Sequence, residues 1–355
     1  FPLLTFAQNI LKGKITDETT NEPIQFATVQ IDTKYKTISN ESGEFELNVA
    51  TLPTTLFISH VSYQALKIQK NNNELVNIKL KPLTLTLKEV VIGDYAVSLM
   101  KNAFEKGKET TENAHYGKGF LRQIAYEADR PTYLNEMYFN TDWRNFGMVK
   151  WHPLEARYLR DKATISYTNL SFFTLAFSGF LANNVHHKGL IAKLDSIYTF
   201  KLKGTYQLGD EEIAIVSCKP KVKLSKMYFE GDYFINTNTY DVLKLDGTVH
   251  NFNMNSSGIL GIKNEGLKLM AQYKLDKNGI NVLDFSTFNV TSRLKVLGIG
   301  AKTTTFASTL FMVDYGDIYN KDLEELSVKT NDISTSKGIN FNPSFWNENQ
   351  TIKRT

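Results

Sequence analysis

Between His115 and Asp314 the chain repeatedly alternates apolar and polar residues with a period of two. The segments are 116–126, 132–140, 197–208, 212–219, 227–235, 242–251, 267–275, 280–294 and 303–314. Successive side chains of a strand point to opposite faces, so each of these nine stretches predicts a strand with one buried face. Asp276-Lys277-Asn278-Gly279 predicts a hairpin, since Asn-Gly accepts the positive φ angles of a type I′ turn, and Asn236-Thr237-Asn238-Thr239 is a second turn. Only Leu170–Ala182 reads as helical there, as a lid or plug. Meandering strands with one apolar helix predict a large curved antiparallel sheet or half-barrel wrapped about that helix.

Composition points the same way. The 355 residues include 31 Asn and 34 Thr but only 8 Pro, and aromatics reach 12%. Thr and aromatics favour strands, and Asn suits the turns between them. With 42% hydrophobic and 22% charged residues the chain is globular rather than disordered. A net charge of +4 makes no case for nucleic acid as a partner. The 13 residues of Leu170–Ala182 are too few, and too interrupted by polar ones, to span a bilayer. The single cysteine, Cys218, excludes an intramolecular disulfide.

Residues 8–92 carry a shorter rhythm. Apolar alternation in 10–15, 27–31, 44–49, 55–59 and 76–80 is broken by turn clusters at 17–23, 39–43 and 71–73. Short strands at that spacing predict a β-sandwich. A helix follows, with Ala96, Val97, Leu99, Met100, Ala103 and Phe104 spaced by three and four, Asp94 as its cap and Gly107 as its breaker. The whole is expected to be mainly β: a seven-stranded sandwich over 8–92, a linker helix in 93–112, the curved β domain over 113–345 and a tail, 346–355. Residues 1–7 read as the remnant of a signal peptide, with Thr5 and Ala7 at −3 and −1 and Gln8 as the mature start; a short first strand or a disordered start is the alternative.

Several of these residues carry a family likeness. Gly13-Lys14-Ile15-Thr16-Asp17, Pro23-Ile24 and Ala27-Thr28-Val29-Gln30-Ile31, followed by Thr37–Asn40, Gly43–Leu47, Ile58-Ser59 and Tyr63, resemble the carboxypeptidase regulatory-like domain. Leu87–Val91 resembles the closing strand of such domains at the front of envelope proteins and TonB-dependent transporters. The likeness implies a transthyretin-like sandwich without catalytic residues. Asn40 stands where that family usually has Asp, and Ser62 where it has Gly. Gly119–Arg122, Tyr133–Glu136, Ala156–Tyr158, Phe229–Ile235 and Tyr240–Val242 are similar to the companion domain of envelope proteins that begin with this sandwich. That resemblance implies a lipoprotein-carrier-like half-barrel. Phe345-Trp346-Asn347 resembles the point where those chains continue, which implies a piece of a longer protein.

Sequence patterns for chemistry are weak. His152-Pro153-Leu154-Glu155, with His250 as a third ligand, fits a zinc pattern, but a surface turn is the simpler reading. His186-His187 read as a polar loop. Ser98–Lys101 matches S-x-x-K without the elements that chemistry needs. Gly298-Ile299-Gly300 lacks a third glycine, and Asp314, Asp317 and Asp322 lack EF-hand spacing. No catalytic, metal or cofactor residue is therefore assigned. A hairpin centred near Asp129 pairs Arg122 with Glu136, between the pairs Phe120–Tyr138 and Ile124–Leu134, as a structural ion pair. The expected role is that of an exported, non-enzymatic protein, periplasmic or associated with the outer membrane, binding or assembling within an outer-membrane transport or insertion complex. The alternative is a carrier of an acyl chain or other apolar ligand, with Phe172, Phe173, Phe177 and Phe180 at its mouth; a zinc hydrolase comes third.

Overall fold

Strands account for most of the described chain in the computed structural model, which describes residues 9–31, 35–84, 94–128, 130–164, 168–182, 188–252, 262–296, 300–349 and 352–353. Two compact units emerge. One holds residues 1–85, 207–210 and 342–355; the other holds 86–206 and 211–341.

The first unit is the sandwich. Its strands are β1 (Asn9–Asp17), β2 (Thr28–Gln30), β3 (Lys36–Ile38), β4 (Glu44–Val49), β5 (Thr54–His60), β6 (Tyr63–Lys70) and β7 (Val76–Leu80). They form a sheet of order β4-β1-β7 and a second of order β3-β2-β5-β6. Leu11, Ile15, Val29, Phe45, Leu56, Ile58 and Ile78 fill the space between. Asn40 keeps the turn in spite of replacing Asp, because its Oδ1 accepts from the backbone N–H of Ser42 and Glu44 at 3.0 and 2.9 Å. The tail 346–355 is not a separate element. It belongs with this unit, where helix Pro343–Glu348 buries Trp346, Ile352 bridges in parallel to Ile38, and Lys353 Nζ lies 2.7 Å from Glu44.

The second unit opens with α1 (Asp94–Glu109), whose Ala96, Leu99, Met100 and Ala103 are buried. Its strands are β8 (His115–Glu127), β9 (Arg130–Arg144), β10 (Gly147–Arg160), β11 (Tyr198–Leu208), β12 (Glu211–Pro220), β13 (Tyr228–Asn236), β14 (Val242–His250), β15 (Ile262–Leu275), β16 (Asn281–Val296), β17 (Gly300–Tyr315) and the two-residue β18 (Glu324–Glu325). They make one open sheet of order β11-β12-β13-β14-β15-β16-β17-β8-β9-β10-β18. The short helices α2 (Leu170–Ala176), α3 (Leu194–Ile197) and α4 (Asp332–Lys337) complete it.

The sheet is strongly curved. β15 and β9 stand four places apart in its order, about 19 Å if it were flat. Yet the rings of Tyr273 on β15 and Trp143 on β9 meet at 6.1 Å, so the sheet bends towards the side they share. That side carries the large hydrophobic core, with α1 and α2 packed into it.

Four local expectations need correction. His152–Glu155 is not a turn but part of β10, with an irregularity in register between Pro153 and Glu155. Helix α2 stops at Ala176 rather than running to Ala182. In the 276–279 turn only Gly279 has positive φ (75°), and its N–H bonds the Asp276 carbonyl at 3.0 Å; this is a type I turn closed by a left-handed glycine, not type I′. Lastly, Gly107 does not break α1, which continues to Glu109. A Cβ there would lie 2.6 Å from Phe180 Cε2, so the glycine serves close approach rather than termination. Residues 1–7, the strand at 87–91, the hairpin centre Asp129 and the Asp94 side chain lie outside the described residues.

Gly107 therefore yields a prediction. A helix-interior Gly→Ala change ordinarily gains about 1 kcal/mol. Here the methyl group overpacks a ring that is itself held edge-on to Tyr273 at 5.2 Å, a penalty of about 1–3 kcal/mol. Urea denaturation should find Gly107→Ala less stable than the parent, and Phe180→Leu in the same chain should recover the loss.

Candidate functional site

Beside α1, the inner face of the second unit holds a short segment, Leu170–Leu181. Its helix α2 receives no capping bond from Asn169. The carboxylate of Asp332, from α4, does that work: it accepts from the Ser171 N–H at 3.1 Å and from the Ser171 hydroxyl. Thr174 adds a 3.0 Å hydroxyl contact to Ser308 on β17. Beyond Ala176 the chain turns through Phe177–Phe180, and Gly179 lies so close to the backbone of Phe146 and Gly147 that a Cβ would sit 2.3 Å from it. Lys188 closes the far end, with Nζ donating to the carbonyls of Gly179 and, at 3.4 Å, Phe177.

The four phenylalanines do not ring an open mouth. Phe177 and Phe180 are buried, and Phe172 and Phe173 are half-buried. Phe177 packs against Phe252 and Phe288 at 6.0 and 5.9 Å, Phe173 against Phe252 at 5.3 Å, and Phe180 against Tyr273. The segment thus fills the interior with rings. The space left beside Phe180 is about 120 Å³, below the 300–1,000 Å³ or so of a typical ligand pocket.

Both ends of the segment rest on ionisable groups under burial. Burial pushes the Asp332 carboxyl up to about 6, against the Ser171 hydrogen bonds that pull it down. Burial alone pushes the Lys188 amine down to about 7. The signs match the helix ends they face, an acid at the N-terminus and an amine near the C-terminal carbonyls. Sequence reading missed both residues. A lysine after His186-His187 reads as solvated, and those two histidines lie outside the described residues.

On the opposite face of the sheet, Arg122 is the register partner of Glu136, and Phe120 and Ile124 are the partners of Tyr138 and Leu134. Glu136 is fully buried. Arg122 Nε lies 2.7 Å from Oε1, and Arg157 Nε on β10 bonds Oε2, so two arginines share one carboxylate. Arg157, the cross-strand partner of Glu136, was missed because no strand was read over β10, of which only His152–Glu155 was assigned, as a turn.

The other candidates do not converge. His152 and Glu155 sit on β10, while His250 on β14 is stacked on Tyr228 and 3.6 Å from Glu230. Among the described residues no three His, Cys, Asp or Glu side chains gather around a metal position. Lys101 of the S-x-x-K match pairs with Asp195, Asp314 accepts from the Tyr319 hydroxyl, and Gly298-Ile299 lie outside the described residues.

Sandwich topology and residue pattern together define the class of the first unit, and comparison gives it a family: residues 11–92 match the CarboxypepD_reg-like domain. No curated protein matches the chain significantly. Among solved structures, a LolA superfamily protein from Nitrosomonas europaea aligns at 12% identity over 65% of this chain and 99% of its own, with a TM-score of 0.24. A DUF1329 family protein from Desulfovibrio piger aligns at 12% identity over 65% and 98%, with a TM-score of 0.25. Similarity at that level is no evidence for a shared ligand.

Two predictions follow from the buried charges. Glu136→Ala leaves two arginines facing each other and should destabilise by about 3–5 kcal/mol. The triple change Arg122→Met, Glu136→Leu, Arg157→Met should recover most of that in chemical denaturation, whereas the first two alone leave Arg157 unpaired. For Lys188 the folded pKa lies below its ordinary 10.5. Between about 7 and 10 the unfolded chain then binds more protons than the folded one, and stability rises with pH through that window. The urea midpoint should climb from pH 7 towards pH 9, and Lys188→Met should flatten the climb.

Proposed function

We propose that the second unit is a non-enzymatic carrier of an apolar ligand, such as an acyl chain, and that the ligand takes the place of Leu170–Leu181 against the inner face of the sheet. One observation carries the reading. The interior is filled by a detachable-sized segment whose two ends are held by buried ionisable side chains, Asp332 and Lys188, rather than by apolar packing alone. A closed core has no use for such groups, since burying a charge is unfavourable unless it is paired. The aromatic surfaces of Phe252, Phe288 and Tyr273, now covered by Phe173, Phe177 and Phe180, would receive the ligand.

The regulatory-like sandwich would then serve as a docking module in the cell envelope, with an outer-membrane complex as its partner. The resemblance noted in the sequence supports that part.

The test uses a fluorescent acyl probe, dansyl-undecanoic acid, titrated into the delipidated protein. Saturable one-to-one binding is expected, with faster association for Asp332→Asn, which loosens the N-terminal hold on α2. Absence of saturable binding in both proteins refutes the carrier reading.

A further inference from the structure

Lys188 is fully buried, yet among the described residues no carboxylate pairs with it. Its Nζ donates to two main-chain oxygens, those of Gly179 and Phe177, and both belong to Leu170–Leu181. Two acceptors match the two N–H groups of a neutral amine, whereas an ammonium has three. Burial moves the group in that neutral direction. Tyr233 and Cys218, which pack on the adjoining Gly189, are also kept neutral by burial. The closed state is thus built around an uncharged lysine.

The lysine is fastened to the sheet as well as to the segment. The Gly189 N–H donates to the Tyr233 hydroxyl on β13 at 3.2 Å, and a Cβ on Gly189 would lie 2.6 Å from Cys218 Sγ on β12. Leu190 is fully buried in the same core. The bridge between Leu181 and Leu190 is where the segment parts from this anchor. Departure of Leu170–Leu181 therefore leaves the amine in place and takes both of its acceptors away.

A ligand displaces the segment only through what it offers beyond the segment's own contacts. An uncharged ligand offers the same kinds again, apolar surface and carbonyl oxygens. A carboxylate offers opposite charge, which favours the ammonium form, and hydrogen bonds about twice as strong as neutral ones. One amine compensates one negative charge, so a doubly charged phosphate monoester would leave a charge buried and unpaired. Phe177 shows that a single molecule can reach both places: its carbonyl meets Lys188 while its ring packs on Phe252 and Phe288 at 6.0 and 5.9 Å. At the other end of the segment stands Asp332, whose ionised form repels an anion, so the head has one end to choose.

We infer that Lys188 is the head-group receptor of the inner site, and that the ligand is a single acyl chain ending in a carboxylate, with its head on Nζ and its chain along Phe252 and Phe288. The inference rests on the carrier reading and adds to it the charge and the direction of the ligand.

The test compares dansyl-undecanoic acid with its uncharged methyl ester, each titrated into the delipidated full chain at about pH 8. The acid is expected to bind roughly tenfold more tightly, the scale of a hydrogen bond to a charged group. Calorimetry in two buffers of different ionisation enthalpy should show uptake of about one proton per acid bound, because an amine held near 7 becomes an ammonium beside the carboxylate, and no uptake with the ester. Lys188→Met should bring the acid down to the affinity of the ester and abolish the uptake; the two measurements on the parent chain stand even where that variant does not fold. Equal binding of acid and ester without proton uptake, or a preference for the acid that survives Lys188→Met, overturns the assignment of Lys188 and leaves the carrier reading intact. Binding of neither probe refutes both.

Discussion

The contact between Trp143 and Tyr273 sets the problem that the rest of the second unit solves. A sheet bent until strands four places apart touch through their side chains encloses a volume, and its own strands cannot fill it. Helix α1 covers part of that volume through Ala96, Leu99, Met100 and Ala103. The remainder goes to the aromatic turn at Phe177–Phe180, which reaches Tyr273 on one side and Phe252 and Phe288 on the other. Even the glycine inside α1 answers to this demand, because Phe180 occupies the place where its side chain would be.

The two faces of the sheet handle charge differently. On the outer side Glu136 is locked between Arg122 and Arg157, with each carboxylate oxygen given its own guanidinium donor. That arrangement fixes the register of β8, β9 and β10 and leaves the acid no free oxygen for chemistry. On the inner side Asp332 and Lys188 face backbone groups and hydroxyls rather than each other. Groups of that kind are moved by burial towards their neutral forms, and there the fold gives up stability rather than gaining it. An arrangement that is unfavourable in the closed state is where a conformational or ligand-linked change is most easily made.

Much of the fold was legible in the sequence because alternation survives wherever one face is buried. All nine stretches picked out beyond His115 are strands, and the seven-stranded sandwich is present. The failures have separate physical causes. β10 has a proline, two breaks in register and only scattered burial, so its period is lost. β6 is an edge strand with no fully buried residue, so it has no apolar face to announce it. The pair Arg122–Glu136 was readable from hairpin arithmetic, but its third member depended on the unseen β10. Lys188 and Asp332 were illegible for a different reason: isolated polar residues look solvated in a sequence, and only tertiary packing buries them.

The segment 342–353 returns to the sandwich, with Ile352 beside Ile38 and Lys353 against Glu44, while β1 begins at Asn9 in the same unit. The second unit is therefore an insertion between residues 85 and 342 of the first, which also takes in residues 207–210. A pulling force applied at residues 9 and 353 would load the sandwich first, through the β1–β4 ladder and the Ile352 bridge, before it reached any strand of the curved sheet. The order of synthesis is reversed in the same sense: the sandwich gains its last partner only after the whole insertion has been made. Mechanically and temporally, the smaller unit is the clasp and the larger one is what it encloses along the chain.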